Sequence, residues 1–173
     1  MKKTVLFLLL TLASASAFAQ NKDWALGAKI GEPAGISIRN YLRNDKNAIE
    51  VNLGLYGAFW GVKDSYKSGY FDGSGVAISA LYLWHNQMGS SRFKNYYGFG
   101  GQYTSRSYYE DIAGGGRNKL PSVGLGGVGN AGLEYFSPDS PLSIFMEVGA
   151  YVELVPSFFY FHPQAGIGAR LNF

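Results

Sequence analysis

Apolar side chains fall on every second position through most of this chain. Ile49, Val51, Leu53 and Leu55 alternate with Glu50, Asn52, Gly54 and Tyr56. Ile144, Met146, Val148 and Ala150 likewise alternate with Phe145, Glu147, Gly149 and Tyr151. Successive side chains of a strand point to opposite faces, so each run reads as a strand with one apolar face and one mixed face. Trp24, Leu26, Ala28 and Ile30 alternate with Ala25, Gly27, Lys29 and Gly31 until Glu32-Pro33-Ala34 breaks the run. Ile36, Ile38 and Leu42 then alternate with Ser37, Arg39 and Tyr41, Asn40 being one polar intrusion, and residues 43–47 form a polar turn of the Asn/Asp kind. Further strands are predicted over residues 76–85, 93–103, 123–135, 142–152 and 164–173. In the fourth strand both faces are apolar, and taking Val76, Ile78, Ala80, Tyr82 and Trp84 as outward turns His85 inward.

Eight strands of about 9–11 residues match the length a tilted strand needs to cross a bilayer, and an even number lets the last close on the first. After the N-terminal segment no run reaches 18 apolar residues, so a membrane helix is not expected. The expected fold is all-β, an eight-stranded antiparallel up-and-down transmembrane β-barrel. Connections support it. With the N-terminus periplasmic, the turns 43–47, 86–92 and 137–141 lie on the inner side, and all are short and polar. The outer connections include the two longest, 58–74 and 104–121, with 155–162 intermediate and 32–34 very short. Short inner turns and longer outer loops are the asymmetry of such barrels. Aromatics sort the same way. Trp24, Trp84, Phe93, Tyr135, Phe136 and Phe173 fall at inner strand ends, whereas Tyr56, Phe59, Trp60, Tyr103 and residues 158–161 gather at outer ends. Rings at both interfaces make the girdles expected of a membrane barrel.

The first residues carry an export pattern. Lys2 and Lys3 precede an apolar run from Val5 to Ala13, and Ala17-Phe18-Ala19 offers a small-x-small cleavage site, predicting removal after Ala19. Residues 1–19 are therefore expected to be a signal peptide and 20–173 one barrel domain. The formal charge then falls from +3 to +1, which removes the main support for a nucleic-acid role. The chain has no cysteine, so disulfides and thiolate metal sites are unavailable. Glycine (24 residues) and aromatics (16%) are high for an ordinary soluble domain and suit lipid-facing strands with Tyr-rich loops.

At the other end, Ala165, Ile167, Ala169, Leu171 and Phe173 alternate with Gln164, Gly166, Gly168, Arg170 and Asn172. An alternating strand ending in Phe resembles the C-terminal signal by which outer-membrane barrels are recognised for insertion. On that resemblance Ile167, Ala169, Leu171 and Phe173 form an assembly signal for the barrel-assembly machinery. Taken whole, the chain resembles the small eight-stranded outer-membrane barrels of the OmpX-like and OmpA-transmembrane-domain kind. The resemblance implies an outer-membrane location, with Trp24, Trp84, Tyr135 and Phe136 at the membrane interface against lipid and lipopolysaccharide. It identifies an architecture and no activity.

Chemistry must come from few residues. Lys29, Arg39, Glu50, Glu134, Glu147, Glu153 and Arg170 fall on the inward face, where eight strands leave room only for side chains. A packed, ion-paired interior is expected from Lys29, Arg39, Glu50, Glu134, Glu147 and Arg170 rather than a pore. Residues 124–129 match GxGxxG, but a dinucleotide site needs that motif at a strand-to-helix turn, and no cofactor is expected. Only two histidines exist. Some eight-stranded barrels modify lipid A with a Ser two residues after a His, but Gln87 and Gln164 stand at those positions here. His162 with Ser157 and Glu153 at the outer rim is the remaining way to assemble a nucleophilic triad. The expected function is a non-enzymatic membrane barrel with a structural role, adhesive or partner-binding through the loops 58–74 and 104–121. A lipid A acyl hydrolase or transferase and a soluble periplasmic carrier of a lipophilic ligand stand as alternatives.

Overall fold

The computed structural model describes residues 23–42, 46–61, 63–112 and 116–173. The expected signal peptide lies outside them. Nine strands run in order: β1 (Trp24–Glu32), β2 (Ala34–Leu42), β3 (Asn47–Tyr56), β4 (Ser65–Tyr66), β5 (Gly69–Gln87), β6 (Phe93–Ile112), β7 (Gly116–Phe136), β8 (Leu142–Val155) and β9 (Tyr160–Asn172). Every pairing is antiparallel, and β3 pairs with both β2 and β5 while β1 pairs with both β2 and β9. Eight strands thus close into a ring. The ninth, β4, is a two-residue piece paired only with β5. Closure leaves no exposed edge within the ring, which is the main hazard of a long antiparallel sheet.

The face pattern follows the alternation read from the sequence. Leu26, Ile30, Ile36, Ile38, Val51, Leu53, Ile78, Ile144, Met146, Val148 and Ile167 all point out and are exposed. Arg39, Glu50, Glu134, Glu147 and Arg170 point in and are buried. Ile144, Met146 and Val148 lie opposite Tyr135, Leu133 and Ala131 on one neighbour and opposite Ala169, Ile167 and Ala165 on the other. The apolar surface is therefore a continuous belt around the wall.

The two long loops differ from expectation. Residues 104–112 and 116–121 are not a loop but the continuation of β6 and β7, in register from Thr104↔Gly124 to Ile112↔Gly116. Residues 69–72 extend β5 alongside, with a register shift between Asp72 and Val76, where Gly73 takes a left-handed φ of 72°. A three-stranded ribbon thus rises beyond the barrel at the end away from the chain termini. Its pattern differs from the belt's. Phe71, Tyr108 and Arg106 point in and are buried, while Ser107, Tyr109 and Asp111 point out. Water rather than hydrocarbon outside a strand calls for polar outward residues, so the ribbon's alternation lacks the apolar face that marks the belt.

Glycines within the barrel make room for interior side chains. A Cβ on Gly168 would stand 2.5 Å from Cζ of Phe145, and one on Gly124 would stand 2.5 Å from Oγ1 of Thr104. The GxGxxG stretch is therefore β7 wall, with no helix after it.

Candidate functional site: the lumen and its aromatic cap

Among the described residues, one layer of the lumen sets three cations, Lys29, Arg39 and Arg170, against three carboxylates, Glu50, Glu134 and Glu147. Arg39 donates from Nε to Glu50 Oε2 at 2.6 Å and from Nη1 to Glu134 Oε2 at 2.9 Å. Arg170 donates from Nη1 to that same Glu134 oxygen at 3.2 Å and from Nη2 to Glu50 Oε2 at 3.1 Å. Lys29 Nζ meets Glu147 Oε1 at 2.6 Å, and Tyr96 donates its hydroxyl proton to Glu147 Oε2 at 2.9 Å. The Arg170 guanidinium lies 3.4 Å from the centre of the Phe145 ring. All six charged groups are nearly or fully removed from solvent. Ions in such surroundings are tolerable only when paired and hydrogen-bonded, because the desolvation of each is worth several kcal/mol. Above this layer lies a neutral one, where Asn52 donates to Ser79 at 3.2 Å and Gln164 donates to Gln102 at 3.1 Å.

The ribbon end is closed by a strap. The β1–β2 connection is only Pro33, so the wall is low there, and the chain after β3 crosses over it. Glu32 was read from the sequence as part of a turn. It is fully buried and its carboxylate accepts the backbone N–H groups of Gly57 (2.5 Å), Ala58 (2.9 Å) and Phe59 (3.3 Å). Trp60 donates its indole N–H to the Pro163 carbonyl on β9 at 2.9 Å. Arg106 donates to the carbonyls of Gly73, at 2.7 Å, and Gly61, and lies 4.0 Å from the centre of the Phe71 ring. Burial holds its guanidinium below the ordinary value, against the pull of Asp64 and Glu32. Beside it, Tyr66 packs on Phe71, Tyr108 and Tyr160 with ring centres 4.2, 5.2 and 5.4 Å away. Tyr66 donates to Glu153 Oε1 at 2.6 Å, and burial first, then that hydrogen bond, pushes its phenol above the usual range.

The remaining sequence-singled residues fall as follows. Trp84 stacks on Tyr97 with centres 5.7 Å apart, and Tyr135 packs on Phe93 at 5.0 Å, all at the termini end of the wall. Phe136 sits at that end beneath the Lys94 ammonium, 5.0 Å from its ring centre. Trp24 and Phe173 exchange backbone hydrogen bonds of 3.0 and 2.8 Å, seating the last residue beside the first strand. Ile167, Ala169 and Leu171 lie on the outward face of β9. Tyr56 corrects the expected girdle. It is buried inside, edge-on to Tyr151 at 5.9 Å, because its parity on β3 is that of Glu50 and Asn52. The alternative triad of His162, Ser157 and Glu153 does not assemble. His162 faces Glu32 at 3.6 Å and Asp64 at 3.5 Å, whereas Ser157 meets Glu153 through its backbone N–H at 3.0 Å. Among the described residues no hydrogen bond joins His162 to Ser157.

No protein-family model matches this chain, and no curated protein matches it. Among solved structures it is similar to the N-terminal β-barrel domain of OprF from Pseudomonas aeruginosa. The match has 16% identity and a TM-score of 0.58, and covers 87% of this chain and 95% of that domain. The chain has the fold of the small outer-membrane β-barrels. It is also similar to Neisserial surface protein A, with 19% identity, a TM-score of 0.45, and coverage of 87% of this chain and 93% of that one. An apolar outside around a charged inside is the reverse of a soluble lipid-carrying barrel, whose wall faces water and whose cavity faces the ligand.

Proposed function

We propose that the protein is a non-enzymatic integral barrel of the outer membrane, inserted with its chain termini toward the periplasm and its ribbon outside the cell. The observation that carries this reading is the continuous apolar belt around a lumen filled by balanced, paired charges. A belt of that kind is stable only against hydrocarbon, and a lumen of that kind has no use in a carrier. The packed lumen makes the barrel a wall element rather than a channel. Its role is structural, and the ribbon of β5, β6 and β7 with the strap over the mouth is the surface offered to an extracellular partner. Tyr70, Tyr109, Arg117 and Lys119 lie on that surface, and Tyr side chains give contact area at low entropic cost.

The test combines fractionation with gel migration. The protein is expected in the outer-membrane fraction, released only by detergent, with a folded band that shifts on boiling. Release by a salt or carbonate wash would return the soluble-barrel reading to first place. In planar bilayers the folded protein is expected to show no steady conductance, and steady channels would refute the wall-element role.

A further inference from the structure

We infer that His162 is a proton-operated latch that fastens the strap over the outer mouth, a device that goes beyond the wall role proposed above. The ring is wholly buried and stands between two carboxylates, one at each nitrogen. Nε2 faces Glu32 Oε1 at 3.6 Å and makes no hydrogen bond, while Nδ1 faces Asp64 Oδ2 at 3.5 Å. A neutral imidazole carries a single N–H, so one of its nitrogens must turn a lone pair toward a carboxylate. The imidazolium donates from both nitrogens, and this site presents an acceptor to each.

Both carboxylates hold the strap. Glu32 accepts the N–H groups of Gly57, Ala58 and Phe59, and Asp64 stands at the strap's far end, where the Tyr160 hydroxyl donates to it at 3.1 Å. The charge balance agrees with the geometry. Besides Glu32 on β1 and Asp64, the ring meets Tyr56 on β3 with centres 4.6 Å apart, Tyr151 opposite it on β8, and the Tyr160 hydroxyl on β9 at 3.5 Å. Arg106 on β6 faces Tyr56 and the same two carboxylates. Glu153, the other carboxylate of the cap, is taken up by the Tyr66 hydroxyl and the Ser157 N–H. Two carboxylates thus meet one guanidinium, and a proton on His162 gives the cap the balance that the paired layer below already has. A buried charge is tolerable only when it is paired in this way.

Of these side-chain types only histidine ordinarily changes charge between about pH 5 and 8. Because the charged ring is the form that holds, the strap is fastened on the acid side of that window and loosens as the pH rises through it. Loosening uncovers the Tyr56 hydroxyl and Arg106 Nη1, which are buried and have no hydrogen-bond partner in the protein. It opens no pore, since the layer of paired charges lies beneath.

The test follows hydrogen exchange at the Gly57, Ala58 and Phe59 amides in the full mature chain folded into phosphatidylcholine vesicles, corrected for the intrinsic pH dependence of exchange. A hydrogen bond to a charged group is worth about a factor of ten or more, so protection is expected to be about tenfold higher near pH 5.5 than near pH 7.5. His162→Gln should hold protection at the lower level at both pH values, and Asp64→Asn should shrink the step. Equal protection at the two pH values in the parent, or a step of opposite sign, overturns the latch. So does a step that survives His162→Gln, because a carboxylate would then be the titrating group. The heat-shifted gel band reports whether each variant is folded. Asp64→Asn, at a side chain 43% exposed, carries the test if His162→Gln loses the band, and a full-sized step in it then overturns the inference.

Discussion

Glu134→Gln is the sharpest perturbation of the lumen. One oxygen of Glu134 accepts from both Arg39 (2.9 Å) and Arg170 (3.2 Å), while Ser143 donates to the other. The substitution keeps the volume and leaves Lys29, Arg39 and Arg170 facing only Glu50 and Glu147. Removing one partner of a buried ion pair costs about 3–5 kcal/mol, since the surviving charge is left without compensation. Both arginines keep Glu50, at 2.6 and 3.1 Å, so the expected loss is at the lower end, about 3 kcal/mol. Urea titration of the barrel in lipid vesicles, read by the heat-shifted band, should show the midpoint falling by roughly 1–3 M at an ordinary denaturant slope. The double variant Arg39→Met with Glu134→Gln restores two cations against two carboxylates. It should be clearly more stable than the sum of the single effects, because an apolar replacement of a whole pair is often neutral. A Glu134→Gln loss below about 1 kcal/mol, or strict additivity in the double variant, would mean that the lumen is hydrated and the pairing incidental.

Other consequences follow from the wall, the terminus and the cap. Val51→Arg or Leu53→Arg should cost roughly 2–4 kcal/mol of folding into bilayers, whereas Asn52→Ala, which loses one 3.2 Å hydrogen bond to Ser79, should cost much less. Equal tolerance of the two faces of β3 would contradict the assigned orientation. Deleting Phe173, or replacing it by a charged residue, should leave export intact and produce a protease-sensitive periplasmic pool, since the residue paired to Trp24 is the last rung of the closing seam. Assembly of that variant at the parent level would make the terminal ring dispensable. The raised pKa of Tyr66 means that the cap holds the neutral phenol. That stabilisation is complete below the phenol's ordinary value of 10.0 and is lost as pH climbs through the higher folded value. Cleavage of the strap by protease should therefore accelerate above about pH 10, and Tyr66→Phe should weaken the acceleration without abolishing it, because burial raises the neighbouring Tyr160 phenol in the same direction. A cleavage rate in the parent that stays flat through this range would contradict it.

The barrel was legible because hydrocarbon outside a strand demands apolar residues at every second place, and β3 from Ile49 to Leu55 and β8 from Leu142 to Leu154 obey. The parity of those strands also assigns Glu50 and Glu147 inward, and it assigns Tyr56 inward too, although position at a strand end suggested the girdle. The ribbon was not legible for a complementary reason. Beyond the belt both outward and inward positions of β6 are polar or aromatic, as in Ser105-Arg106-Ser107-Tyr108, so no greasy face marks the strand. The cap was the least visible. Glu32 sits in a Glu-Pro turn signal, yet it serves groups 25 to 27 residues away, and no local pattern announces a contact of that range. His162 is similar, since its carboxylates lie on β1 and after β3 rather than near it in sequence.

The central claim is a wall with hydrocarbon outside and paired charges inside, and β8 tests it most directly. The chain has no cysteine, so single cysteines can be placed at each position from Ile144 to Val152 and spin-labelled. In lipid vesicles, relaxation by oxygen, which concentrates in hydrocarbon, should peak at 144, 146, 148 and 150 and fall at 145, 147, 149 and 151. Uniform accessibility along the strand, or relaxation of the 146 and 148 labels by a water-soluble nickel chelate, would contradict it.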